Sequence, residues 1–302
     1  MNSFLKNKLW LLYSILAALS WGFWGILTKF ISGEISPFST HFMFTIGMLF
    51  PLPFIIPKCK LSEFSKKGMF LGIAAGILAV CGNVSVYQSF NLGGQAAMVI
   101  PLTNLYPIIT ILIALFIFKE KLHWMNGLGI MIVIPAIILL SGQSQVLTDP
   151  ISFFHDMELK AWLIFALLSL TLFGLFSASQ KVTTSFISAE WSYISFIASS
   201  VIVAGAFITF GLIDFKFAQN SFWVGSLAGA LDGLGVLFIY SAYKSNGKAS
   251  QVSFIASSLQ QVFVIFLAVT FLKEQLNLDS IIGIIMAIGG ASLVSFEQNN
   301  SV

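Results

Sequence analysis

Short polar stretches divide the chain into apolar runs near 9–31, 39–57, 68–90, 95–118, 124–141, 161–183, 189–213, 221–242, 249–271 and 279–296. At 1.5 Å per residue, a helix of about 20 residues crosses the ~30 Å hydrocarbon core of a bilayer. Hydrocarbon offers backbone groups no hydrogen bonds, so runs of this length must satisfy their own as helices. Composition agrees: of 302 residues, 57% are hydrophobic and 9% charged, against roughly a quarter charged in soluble domains. So few charges cannot cover a surface facing water. The sequence therefore predicts an all-α integral membrane protein with ten transmembrane helices.

Lysine placement sets an expected orientation. Eleven lysines fall at the N-terminus or in the loops after even-numbered runs, and only Lys29, Lys160, Lys216 and Lys273 fall on the other side. Because basic loops stay in the cytoplasm, both termini are expected there. The longest connection, 142–160, then lies outside and carries Asp149, Asp156 and Glu158. The first run follows Lys6 and Lys8, exceeds a signal-peptide core in length and lacks a small-x-small cleavage site, so it reads as a retained span. With no transit peptide apparent, a bacterial cell (inner) membrane is the expected location. Net charge is only +3, and every basic residue is Lys. Without guanidinium groups to read phosphate or bases, nucleic acid is not an expected partner. Cys59 stands in a polar loop and Cys81 in an apolar run, so both are expected to be free thiols.

The chain also repeats. At an offset of 153 residues, Gly72, Ala75, Gly76, Leu78, Gly82, Tyr87, Gly94 and Ala96 coincide with Gly225, Ala228, Gly229, Leu231, Gly235, Tyr240, Gly247 and Ala249. With one residue inserted, Phe118-Lys119-Glu120-Lys121-Leu122 faces Leu272-Lys273-Glu274-Gln275-Leu276, and with one fewer, Gly22 and Lys29 face Gly174 and Lys181. This gives a first five-helix repeat over 1–141, the external connection 142–160, and a second repeat over 161–302. Five is an odd number, so the second copy enters the membrane from the opposite side, as in inverted-repeat transporters.

These features together resemble the drug/metabolite transporter superfamily, in particular its EamA-type members: ten runs in about 300 residues, Trp21-Gly22 leading to Lys29, Ala96-Ala97, Pro107, and Lys119-Glu120-Lys121-Leu122 before a short Gly-containing run. The resemblance covers essentially the whole chain. It implies a carrier fold with a central cavity built by the first, third, fourth, sixth, eighth and ninth spans. The substrate stays open, because members of the superfamily move amino acids, drugs, sugars and nucleotide-sugars. One departure stands out: Gln260-Gln261 occupies the place of Tyr106-Pro107, so the ninth run lacks the proline of the fourth.

Features common to both halves are expected to build the scaffold, and polar residues found in one half are candidates for function. Gly68, Gly72 and Gly76, and Gly225, Gly229 and Gly233, form small-residue stripes suited to close helix packing. Glu120 and Glu274 read as surface pairs beside lysines at chain reversals, and Lys29 and Lys181 as side chains snorkelling to the interfaces. Asp232 is the single acidic residue near the middle of a run, where the repeat places Ala79. A charged Asp at that depth costs roughly 2.5–3.5 kcal/mol. At 100° per residue, Asp232 shares the stripe of Gly225 and Gly229 and should face the bundle. It can glue helices through hydrogen bonds, bind a cationic group on a solute, or carry a coupling proton. At similar depth lie Trp21, Trp24, Asn83, Tyr87, Asn104, Tyr240, Ser257, Gln260 and Gln261, which either line a solute pocket or pack between helices.

The expected function is thus a secondary transporter moving a small organic metabolite by alternating access, with proton coupling and facilitative exchange both open, and with the membrane lipid and a proton or counter-solute as further partners. Flipping of a lipid-linked molecule and a non-transporting receptor or scaffold are the alternatives, and monomer and homodimer are both open. Catalysis is not expected: His41, His123 and His155 share no run, a second intramembrane carboxylate is missing, and no phosphate loop or cofactor motif is present.

Overall fold

A computed structural model describes residues 9–109, 124–140, 160–247 and 249–294. Outside these lie Lys6, Lys8, the Phe118–Leu122 motif with Lys119, Glu120 and Lys121, His123, the acidic part of the 142–160 connection with His155, and Lys248; the Lys181 side chain is likewise undescribed. The described helices are α1 (Leu9–Ile31), α2 (Pro37–Leu49, with a further turn at Leu52–Ile55), α3 (Lys66–Asn91), α4 (Ala96–Thr103), α5 (Trp124–Leu140), α6 (Ala161–Phe186), α7 (Ala189–Thr209), α8 (Gln219–Lys244), α9 (Ala249–Phe271) and α10 (Leu278–Val294). Six stretches, those of α1, α2 with its extension, α3, α6, α7 and α8, are long and apolar enough to cross a membrane, and four apolar helices are shorter. The protein is a multi-pass, all-α membrane protein.

Local chemistry places the helix ends. Ser36, Ser65 and Ser188 accept hydrogen bonds from Ser39 N, Gly68 N and Trp191 N, capping the first turns of α2, α3 and α7. In α2 the cap is followed by Pro37, whose missing N–H is no loss at the first helical position. The fourth and ninth runs differ as their prolines do. After α4 the chain passes through a turn at Asn104–Tyr106, where Tyr106 N takes the Thr103 carbonyl at 3.2 Å. Pro107 has no N–H with which to continue the α-helical ladder. With Gln260-Gln261 in its place, α9 runs unbroken through the corresponding position.

The most extensive packing always joins a helix before residue 141 to one after 160: α3 with α6 and α7, α8 with α1 and α2, α5 with α10, and α1 with α9. The halves interlock and share their cores. Glycine makes the closest crossings possible. Gly47 of α2 abuts the backbone of Ser226 and Ala230, and Gly229 of α8 abuts the backbone of Phe44. On α3, Gly68 meets Phe186 and Ile187, Gly72 meets Ser195, and Gly76 meets Ser199. Each stripe thus lets one helix lie against a helix of the other half, where lipid supplies no hydrophobic drive for association.

At one end of the bundle a polar clamp fixes the turn between α3 and α4. The Glu274 carboxylate accepts from Ala96 N at 2.8 Å and Ala97 N at 2.9 Å, satisfying the first turn of α4 and matching its positive end. Lys29 Nζ donates to Gly94 O at 2.8 Å and to Phe90 O at 3.4 Å. The surface pairing expected of Glu274 is therefore corrected: its partners are backbone amides of the other half, which a lysine beside it could not replace. Lys29 is half-buried and bonded to carbonyls where snorkelling to an interface was expected.

Two consequences are measurable by thermal unfolding in detergent. Gly229→Val must displace the Phe44 backbone and should cost about 1–3 kcal/mol, whereas Gly205→Ala, whose added carbon would meet nothing within 4 Å, should leave the midpoint unchanged or raise it. Glu274→Ala should lower stability by about 1–2 kcal/mol, the usual loss for a helix N-terminal cap.

Candidate functional site

Midway along α8, Asp232 is 4% exposed and lines a cavity of about 60 Å³. Asn83 Nδ2 on α3 donates to its Oδ2 at 2.8 Å, and the Trp21 indole on α1 stands beside it. Gly235, one turn on from Asp232, lies directly under that indole, so a side chain there would evict it. Asp232 forms no salt bridge with any described residue.

The lining comes from seven helices and the turn after α4: Trp21 and Trp24 on α1, Ala79 and Asn83 on α3, Thr103, Asn104 and Tyr106 at the end of α4, Phe173, Phe176, Ser177 and Gln180 on α6, Phe196 on α7, Asp232 and Val236 on α8, and Gln260 on α9. Positions related by the sequence repeat meet here in pairs: Trp21 with Phe173, Trp24 with Phe176, Ala79 with Asp232, Asn83 with Val236, and Tyr106 with Gln260. The scaffolding repeats as well, since Gly82 lies under Phe173 as Gly235 lies under Trp21. Geometry is shared between the halves and chemistry is not. The one carboxylate and its amide partner occupy, in the other half, the places of Ala79 and Val236.

Of the ten residues singled out from sequence, six line the cavity: Trp21, Trp24, Asn83, Asn104, Gln260 and Asp232. Tyr87 is buried behind them, its ring 4.9 Å from Phe44 and 6.4 Å from Trp24. Tyr240, Ser257 and Gln261 are buried outside the lining, with Tyr240 beside Gln180. Sequence reasoning missed the α6 wall. Ser177 and Gln180 are spaced by three in an otherwise apolar stretch, a one-sided polar signal that could have marked it. Phe173, Phe176 and Phe196 carry no such signal among 31 phenylalanines.

His41 stands apart from the cavity. It is fully buried on α2, its Nε2 3.2 Å from Ser200 O and 3.3 Å from Thr45 Oγ1, and it ties α2 to α7. Among the described residues no three His, Cys, Asp or Glu side chains gather as metal ligands. Both Cys59 and Cys81 are free thiols.

A wider depression of about 530 Å³ opens at the other end of the bundle from the Lys29–Glu274 clamp, lined by Tyr13, Lys58, Lys60, Glu63, Glu190, Ser241 and Lys244 among others. Tyr13 precedes Trp21 by two helical turns, so the depression lies about 12 Å along α1 from the cavity.

Comparison with known proteins gives the fold and the family. The EamA-like transporter family matches the chain twice, over residues 8–142 and again over 160–296. An uncharacterized transporter of Clostridium kluyveri is 25% identical over 275 residues, covering 88% of this chain and 86% of that protein. An uncharacterized protein of Methanocaldococcus jannaschii is 24% identical over 131 residues, which are 43% of this chain and 95% of the relative; it is about as long as one half. A solved crystal structure superposes with a TM-score of 0.63 at 16% identity, covering 93% of this chain and 94% of that one, a likeness of fold alone. With both halves matched and the cavity lying between them, the chain belongs to the EamA-like transporter family, within the drug/metabolite transporter superfamily.

Proposed function

We propose that this protein is a secondary carrier that moves a small organic solute, of amino-acid, drug-like or sugar-like size, through the Asp232 cavity by alternating access. The observation that carries the reading is the lining itself: equivalent positions of both halves converge on one cavity, and one buried carboxylate among the described residues lines it. A site shared between two repeats is what a rocking mechanism requires, because tilting one half against the other exposes the site to each face in turn. The Lys29–Glu274 clamp stands at one end of the bundle and the lysine-lined depression opens at the other. Opening the clamped end means parting the Glu274 carboxylate from the Ala96 and Ala97 amides of the other half.

In this reading the ten helices are ten spans in two inverted repeats, both termini are cytoplasmic, and the lysine-lined depression faces the cytoplasm. Asp232 binds the solute or carries a coupling proton.

Two experiments test the proposal. Asp232→Asn should reduce solute counterflow in proteoliposomes at least about tenfold, the effect of losing one charged contact, while expression and thermal midpoint stay close to those of the parent. Wild-type exchange at every pH in that variant contradicts the assignment. For topology, Glu34→Cys in a background lacking Cys59 and Cys81 should react with an impermeant maleimide from outside intact cells. The native Cys59 should react only after permeabilisation, and the reverse pattern refutes the orientation.

A further inference from the structure

Among the described side chains, the cavity lining holds one carboxylate, that of Asp232, and no cation. The Asn83 amide that donates to it and the Trp21 indole beside it are neutral groups. They satisfy hydrogen bonds without cancelling charge. A carboxylate offers about four acceptor positions, so room for a further donor remains. Among the described side chains no Lys or His lines the cavity. Its walls carry six aromatic rings, those of Trp21, Trp24, Tyr106, Phe173, Phe176 and Phe196, and ring faces attract cations, more strongly where water is excluded. A second polar anchor is also unoccupied. Asn104 lines the cavity at 5% exposure, and its amide nitrogen has no hydrogen-bond partner; a buried amide without a partner is costly.

We propose that the solute is a compact organic cation, an ammonium compound that also carries a neutral hydrogen-bonding group and no carboxylate. The ammonium sits at Asp232 between the aromatic walls, and the neutral group reaches Asn104. The cavity disfavours amino acids and other carboxylates because no described side chain of its lining is a cation that would pair with them. At about 60 Å³ it favours small solutes; drug-sized ligands occupy roughly 300–1,000 Å³. This assignment rests on the carrier reading above and narrows it.

The test uses probes of nearly one shape and different charge: choline and ethanolamine as cations, betaine as the zwitterion, and dimethylbutanol as the neutral carbon isostere of choline. Binding is read by ligand-dependent thermal shift of the full-length protein in detergent, and transport by counterflow in proteoliposomes with a wider panel of neutral, zwitterionic and anionic metabolites. At least one of the two cations should bind about tenfold or more tightly than betaine and dimethylbutanol. Asp232→Asn should reduce that preference to about twofold or less, and Asn104→Ala should weaken choline while keeping the preference for cations. The assignment is overturned if neither cation binds, if betaine or dimethylbutanol binds as well, or if the preference survives Asp232→Asn. The wild-type ranking stands as a test even if a variant does not fold. Exchange confined to neutral or anionic compounds removes the cation assignment and leaves the carrier reading intact. No exchange of any compound overturns both.

Discussion

Hydrocarbon neither donates nor accepts hydrogen bonds, and the packing of the described helices answers to that fact. The backbone retreats into helices, and helices lacking a hydrophobic reason to associate do so by contact. Glycine shortens the contact until backbone meets backbone at Gly47 and Gly229. Polar side chains then find partners inside: Glu274 on the amides of Ala96 and Ala97, Lys29 on the carbonyls of Phe90 and Gly94, Asn83 on Asp232. The clamp residues hold a chain reversal, with the Glu274 carboxylate and the Lys29 ammonium as charged neighbours. Asp232 keeps acceptor capacity and a net charge that its neighbours leave uncancelled.

Duplication explains why such a site stands where it does. Two copies of one helix set, packed across each other, bring like positions to a common centre, and the cavity lies at that centre. Trp21 over Gly235 and Phe173 over Gly82 are two instances of one packing device. Divergence then acts on the lining. In place of Ala79 and Val236, the other half sets Asp232 and Asn83, which face each other across the join. A symmetric cavity would present the same groups twice, whereas this one has a charged end, an amide anchor and aromatic sides.

Much of this was legible in the sequence. Helix bounds follow apolar runs because few other structures can hide that much backbone, so α1 ends at Ile31, as the sequence predicts, and α3, α6 and α8 differ by a few residues. Asp232 was identifiable from its depth alone. The missing proline at Gln260-Gln261 also carried through, since the chain breaks before Pro107 and not at its counterpart. What sequence could not reveal depends on helix rotation and distant contacts. Tyr87 and Asn83 lie four residues apart on α3, yet one packs against Phe44 and the other reaches the carboxylate. The partners of Glu274 lie 177 and 178 residues away, and the α6 phenylalanines look like any lipid-facing residue until α6 is seen against α3.

The central claim is that Asp232 is the solute-facing charge of a cavity held between the halves. Carbodiimide labelling of buried carboxyls, read by mass spectrometry on the intact protein, addresses it directly. Asp232 should be modified in the free protein, choline should slow that modification, and dimethylbutanol should not. Modification of Asp232 at the same rate with and without choline would contradict the account.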